Sequence, residues 1–257
     1  MLQTRARRLV RAVIGVGAIA TSLGSAGVPA LSLRPHFLKP PLILVRSVPP
    51  NSVNPFLAEN STAIWLDSLI FQSLVSIRHG RLVPDLSQHW VSLHHGQVWH
   101  ITLNPRAKWW DGRPVTARDV SWSYQVKLQR FLPRTAPLAA LHPAFQPRGL
   151  LALTVRLRRP DPFFLRQFAS HGPVSWILPA FLFRKSTRHT LLTTPYLNDP
   201  VDMVGSGPYR LLRLTHTSAR LAANLHYYLG VPKAKVIVVR FRSPGQQDQP
   251  KPRRGAP

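Results

Sequence analysis

Lys108-Trp109-Trp110-Asp111-Gly112-Arg113-Pro114-Val115-Thr116-Ala117-Arg118-Asp119-Val120 reads as the end of a strand, a tight turn and the start of a helix. Asp111-Gly112 marks the turn, because glycine adopts a positive φ without the penalty that a Cβ brings. Thr116 stands as an N-cap with Asp119 three residues on, the spacing of a capping box. Val115 and Val120 fall at N′ and N4, where two apolar side chains can clasp as a hydrophobic staple. The helix predicted from this start covers residues 117–131.

Working outward, apolar spacing outlines the other elements. Residues 41–48 (Pro-Leu-Ile-Leu-Val-Arg-Ser-Val) predict a first strand rich in branched side chains. A loop dense in turn formers, Pro49 to Pro55, precedes an amphipathic helix over 61–74. Trp99, Ile101 and Leu103 alternate with His100 and Thr102 as a half-buried strand, and Gly96 supplies the turn that pairs it with residues 90–93. Leu151, Leu153, Val155 and Leu157 line one face of another strand. Asp161-Pro162 can start a short helix with Phe163, Phe164, Leu165 and Phe168 as its apolar face. A turn at Gly205-Ser206-Gly207 feeds a strand up to Leu214, and residues 235–241 make a final strand. The expected fold class is mixed α/β, with both hairpins and crossovers.

Arg5, Arg7, Arg8 and Arg11 precede an uncharged run of apolar and small residues, and Val28-Pro29-Ala30 offers small residues at −3 and −1. That order predicts a secretory signal peptide over 1–30, with an uncleaved anchor as the alternative. Cysteine is absent, which removes disulfides, thiolate chemistry, cysteine zinc sites and the acceptor of a lipid anchor. A free periplasmic protein is expected. The chain carries 34 Lys and Arg against 9 Asp and Glu, a formal net charge of +25. The basic residues are scattered singly through apolar segments, with only short clusters at Arg156-Arg158-Arg159 and Arg253-Arg254, no nucleic-acid motif accompanies them, and no nucleic-acid partner is expected. Glu59 is the sole glutamate. Native-state pairs that need carboxylates fail in acid, so their scarcity fits either acid exposure or arginine-rich drift. The polar, Pro-rich tail 243–257 is expected to be disordered.

The opening string resembles the "K-W-x-D-G-x-P-x-T-A-x-D-V" signature of the family 5 extracellular solute-binding proteins, the peptide and nickel receptors of ABC importers. Asn54-Pro55 is similar to that family's "L-N-P", Phe71-Gln72-Ser73-Leu74-Val75 to "Y-E-G-L-V", and Val83 to Trp90 to "V-P-D-L-A-E-S-W". Val98-Trp99-His100-Ile101-Thr102-Leu103 resembles "Y-T-F-x-L", Val204 to Tyr209 resembles "V-G-T-G-P-Y", and Asn224 to Gly230 resembles "N-P-x-Y-W-x-G". The likeness spans about residues 41–242, the N-terminal half of the family. It implies a periplasmic-binding-protein-like class II lobe from about 41–72 and 173–242, with a small domain inserted over about 73–172. Gln88, His89, His94, His95 and Arg118 stand where the family usually has acids. The lobe is expected to be truncated, because family members are longer.

The resemblance implies a substrate-binding component that captures a peptide or related small solute in the periplasm and docks on an inner-membrane ABC permease. A second polypeptide completing the fold is a further implied partner. The alternative is a truncated, basic interaction protein that has lost ligand capture. Glu59, Asn60 and Ser61 are the candidate ligand-binding residues, on a loop that lines the family's cleft. Glu59 suits a peptide amino terminus or a cationic side chain, while a helix N-cap at Asn60 or Ser61 with Glu59 solvated is the competing assignment. His94 and His95 would point to opposite faces of a strand, a poor chelate, so no metal site is expected. Ser206 has no acid–base partner, and neither catalysis nor a cofactor is expected.

Overall fold

Thr116 caps its helix with both halves of the capping box in place. Its Oγ1 accepts from Asp119 N at 3.4 Å, and Thr116 N donates back to Asp119 Oδ2 at 2.8 Å. In this computed structural model the residues described are 40–131, 136–169, 172 and 174–242. The expected signal peptide and basic tail lie outside them.

In chain order the elements begin with strand β1 (Leu42–Arg46), helix α1 (Ser61–Ile70) and the hairpin β2 (Val75–Arg78) and β3 (Arg81–Pro84). β4 (Ser87–Leu93), β5 (Val98–Leu103) and helix α2 (Ala117–Arg130) follow. β6 (Ala144–Pro147) and β7 (Ala152–Arg156) complete an antiparallel sheet of order β4-β5-β7-β6. After several short helices come β8 (Tyr209–Leu214), β9 (Ser218–Ala223) and β10 (Val236–Phe241). These join β1 in a sheet of order β1-β10-β9-β8, where β1 pairs parallel to β10 and the rest is antiparallel. The parallel pair requires a crossover, and nearly the whole described chain lies inside it.

Each sheet covers an apolar cluster. Ile101, Leu153, Val155, Tyr124, Phe145 and Phe168 pack beneath β4-β5-β7-β6. The Tyr124 and Phe168 rings lie 4.2 Å apart, a contact of the kind that adds about 0.5–1.5 kcal/mol beyond burial. Leu66, Ile70, Leu211, Leu221, Ile237 and Val239 form the second cluster under β1-β10-β9-β8. Helix α2 serves both, with Tyr124 in the first and Val126 in the second.

Asp119 does more than cap. Its Oδ1 accepts from Ala180 N at 2.8 Å, pinning the segment that returns toward the second sheet, and burial raises its pKa against the Thr116 hydrogen bonds that lower it. Thr116→Ala is expected to cost about 1 kcal/mol, a usual value for a lost N-cap. Asp119→Ala should cost more, because it also frees Ala180 N. Urea denaturation of the two variants reads both, and equal losses would contradict the second tether.

Three expectations are corrected. His94 and His95 sit not in a strand but in a 3-10 turn, at φ of 52° and 55°, left-handed values that histidine tolerates better than most residues. Phe163 is not part of an apolar helix face. It is 66% exposed and starts a 3-10 turn, Phe164–Phe168, whose Phe164, Leu165 and Phe168 are buried. The amphipathic helix stops at Ile70, because Phe71 turns extended and donates its N–H to Asp67 O.

Candidate functional site

The loop between β1 and α1 is fixed by two asparagines. Asn51 Nδ2 donates to Leu57 O at 2.8 Å, and its Oδ1 accepts from both Glu59 N and Asn60 N at 3.1 Å. The buried Asn54 donates across the chain to Leu191 O at 2.9 Å. Asn60 is the N-cap of α1: Oδ1 accepts from Ala63 N at 2.8 Å, while Nδ2 donates to Pro49 O at 2.9 Å. Its side chain is thus committed to the backbone. Glu59 and Ser61 flank it with exposed side chains, and Glu59 joins no ion pair among the described residues. A cavity of about 340 Å³ opens beside the loop, lined by Pro49 to Val53, Asn198 and Leu214 to His216. On the loop, Phe56 stacks on Phe131 at 4.1 Å, and Arg188 lies over the Phe131 ring.

Two polar junctions lie at the other end of α1, and sequence reading missed both. At the first, Gln72 Nε2 donates to Asp85 Oδ1 at 2.6 Å and to the hydroxyls of Tyr227 and Tyr228 at 3.1 Å each. Ser73 N donates to Asp85 Oδ2 at 3.0 Å, and Tyr228 donates to Asp85 O at 2.6 Å. Burial, reinforced by the Asp85 charge, pushes both tyrosines above the usual phenol range. Three separate strings, 71–75, 83–90 and 224–230, therefore meet at one carboxylate. Their mutual chemistry was the available signal, since an amide, a carboxylate and two phenols in apolar runs must find one another once buried.

At the second junction Gly205-Ser206-Gly207 runs against the C-terminal end of α1. Gly207 N donates to Ile70 O at 2.9 Å; Trp110 N donates to Gly205 O at 3.0 Å, and Trp110 Nε1 to Gly207 O at 3.2 Å. Asn224 Nδ2 donates to the same Gly207 O at 3.1 Å. A Cβ on Gly205 would lie 2.1 Å from Ile70 O, and one on Gly207 2.5 Å from Leu69 O, so the contact excludes any side chain. Ser206 is buried, in keeping with a structural segment. A groove of about 730 Å³ runs between residues 105–112 and 224–228, with Arg106, Lys108, Trp110, His226 and Tyr227 on its walls.

Charge inside the molecule is sparse. Asp67 on α1 is wholly buried and its carboxylate oxygens find no hydrogen-bond donor among the described residues. Lys127 on α2 is also buried, donating to Trp176 O and, at 3.5 Å, to Val174 O. Burial raises the Asp67 pKa well above normal and drops that of Lys127 to about 7, while their mutual attraction opposes both shifts. Arg113–Asp111 at 3.5 Å is the one ion pair among the described residues. Five of the eight carboxylates described (Asp85, Asp111, Asp119, Asp161 and Asp199) accept from backbone N–H groups instead.

Residues 81–250 match the family described as bacterial extracellular solute-binding proteins, family 5 Middle. The periplasmic murein peptide-binding protein MppA of Escherichia coli (strain K12) is 26% identical over 199 residues, which are 70% of this chain and 35% of that protein. The chain thus spans about a third of the length of the curated relatives it matches. Among solved structures, the oligopeptide-binding protein AppA of Bacillus subtilis, in complex with a nonapeptide, superposes with a TM-score of 0.69 at 18% identity, over 78% of this chain and 40% of that one. NikZ of Campylobacter jejuni in complex with Ni(L-His) gives 0.64 at 22% identity, over 79% and 39%. At these identities the superpositions speak for a common fold.

Proposed function

The chain belongs to the bacterial extracellular solute-binding proteins, family 5, and from that membership we propose that it is the substrate-binding component of an ABC importer, taking a peptide or related small solute in the periplasm. The observation that carries the reading to a place on the molecule is the loop 49–61. Asn51 and Asn54 hold its shape, so a ligand meets a surface that needs little ordering on binding. From it Glu59 projects beside the exposed Leu57 and the Phe56–Phe131 stack. An extended peptide lies along this loop, with Glu59 engaging its amino terminus or a basic side chain and Ser61 within reach of its backbone. Asn60 contributes indirectly, by fixing the helix end between them. The opposing wall of the cleft comes from the part of the family outside this chain's match, and the loaded protein delivers its solute to a membrane permease. The two sheets and their separate apolar clusters support a division into a lobe (about 41–72 and 173–242) and an inserted small domain (about 73–172). No catalytic step is part of this function.

Thermal denaturation of the purified chain against a library of short peptides tests the reading. A ligand at a hundredfold its Kd adds about 2.7 kcal/mol to the folded state. Peptides with a free amino terminus or a Lys or Arg should raise the midpoint, and Glu59→Gln should erase that gain without moving the midpoint of the free protein. A library in which no peptide stabilises the chain would count against solute capture. A gain that survives Glu59→Gln would leave capture standing and remove Glu59 from it.

A further inference from the structure

The solvent face of the sheet β1-β10-β9-β8 carries a charge pattern that solute capture does not use. Register places its outward positions in three rows. Ile43, Val238, Arg220 and Arg213 form the first, Val45, Arg240 and Ser218 the second, and Val236, Ala222 and Arg210 the third. Their inward neighbours Leu211, Ala219, Leu221, Ile237 and Val239 are buried in the core, which fixes the orientation of the sheet. Outside, Arg210, Arg213, Arg220 and Arg240 are all exposed, and Ile43 and Val45 are 51% and 54% exposed. The face therefore has an apolar edge along β1 and a cationic zone that runs across β10, β9 and β8 through Arg240, Arg220, Arg213 and Arg210.

Nothing on the sheet balances those cations. None of its four strands contains an Asp or Glu, and none of the four arginines joins an ion pair among the described residues. The nearest acids in sequence are Asp202 before β8 and Asp248 after β10, the latter outside the described residues, and Arg210 donates to the carbonyl of Val201 at 3.1 Å. Arg220 stands directly across from Arg213, and like charges in that position destabilise a strand pair. A sheet face that keeps an unfavourable pair, with branched aliphatics open to water beside it, has the composition of a contact surface.

We propose that this face docks on an anionic phospholipid surface. Arginine binds phosphate through a planar fork, and its long stem lies along apolar surface while the charged end reaches headgroups. Ile43, Val45 and Leu212, the last 42% exposed at the β8 bulge, sit at the level of the outer acyl carbons. The arginines occupy three rows on three strands, so no single helix or strand of a partner could follow them, and the outward positions hold no aromatic anchor of the kind protein interfaces favour. A fluid sheet of phosphates has no such requirement. Attraction of this kind scales with the number of cations near the surface and weakens with salt.

The absence of cysteine makes the test specific. Ser218→Cys, on the outward face, and Ser92→Cys, exposed on the other sheet, each accept one environment-sensitive fluorophore. On vesicles of mixed phosphatidylglycerol and phosphatidylcholine at low salt, the label at 218 should shift to the blue and the label at 92 should not. The combined variant Arg210→Gln, Arg213→Gln, Arg220→Gln, Arg240→Gln should raise the lipid concentration for half the shift about tenfold or more, as counterion release predicts for several lost contacts. A control with the same charge loss elsewhere, at Arg81, Arg148, Arg156 and Arg158, should move it much less. Four results overturn the proposal: equal shifts at both labels, no shift at 218, an equal shift on pure phosphatidylcholine, or equal weakening by the control set. A shift produced by soluble polyglutamate but not by vesicles would assign the face to an acidic protein instead and overturn it as well.

Discussion

Gly207→Ala is expected to cost about 3 kcal/mol or more, the upper end for forcing extra atoms into close packing. The new Cβ would stand 2.5 Å from Leu69 O and 2.7 Å from Ile70 C, and both are backbone atoms that cannot swing away. Displacement would stretch the hydrogen bond from Gly207 N to Ile70 O and loosen the Gly207 carbonyl, which receives both Trp110 Nε1 and Asn224 Nδ2. One methyl group thus disturbs α1, the turn at Trp110 and the turn at Asn224 together. Gly205→Ala should be at least as severe, since its Cβ would meet Ile70 O at 2.1 Å and the Trp110 ring at 2.8 Å. Gly172→Ala meets nothing within 4 Å among the described residues and serves as the control. Urea denaturation followed by tryptophan fluorescence reads all three. A Gly207→Ala midpoint equal to that of the control would show the contact to be soft.

The second large effect lies at Asp67 and Lys127. Lys127→Met alone should cost about 1–3 kcal/mol, because it leaves the Trp176 carbonyl without its buried donor and removes the attraction that opposes the Asp67 shift, while Asp67→Leu with Lys127→Met should cost less than the sum of the two single variants. The pH dependence follows from the two shifts. Lys127 drops from 10.5 to about 7 on folding, so between those values the unfolded chain holds a proton that the folded chain has lost. Stability from this group rises as pH climbs from about 7 toward 10.5 and is flat below 7. Asp67 is raised above 3.8, so its contribution is greatest in acid and falls as pH rises through its folded value. Together they hollow a basin into the stability profile near neutrality, and the double variant should fill it. Denaturation midpoints across the pH range, wild type against double variant, should differ most near neutrality; a constant difference would refute the linkage.

Local grammar was legible where chemistry and spacing coincided. Thr116 and Asp119 announced their helix, which runs from Ala117 to Arg130 as expected apart from one terminal residue. Alternation at Trp99, Ile101 and Leu103 located β5, and the run at 235–241 located β10. Short elements escaped: the hairpin β2–β3, strand β6 and helices such as Ala180–Phe183 are too brief to display a period, and β9 (Ser218–Ala223) is built mostly of serine and alanine, which give little apolar alternation. The parallel pairing of β1 with β10 was invisible for another reason, since its partners are about 195 residues apart and no local pattern encodes which distant strand will be met. At the candidate site the reading found Asn60 as one of two capping choices. The Gln72–Asp85 junction past the far end of α1 did not show, because each member looks like an ordinary polar residue until burial forces it to find a partner.

The five carboxylates that serve backbone N–H groups bear on how this sequence came to be so basic. Each satisfies a donor that lysine or arginine could not serve, because those side chains offer no acceptor. Acidic residues whose only duty was charge balance at the surface have no such hold, and here almost none remain. A lineage can therefore exchange surface acids for bases over a long period and keep its architecture, since no hydrogen-bonded joint breaks at any step. Under either drift or acid exposure such exchange would halt where a carboxylate oxygen is structural, as at Asp85, Asp111, Asp119, Asp161 and Asp199.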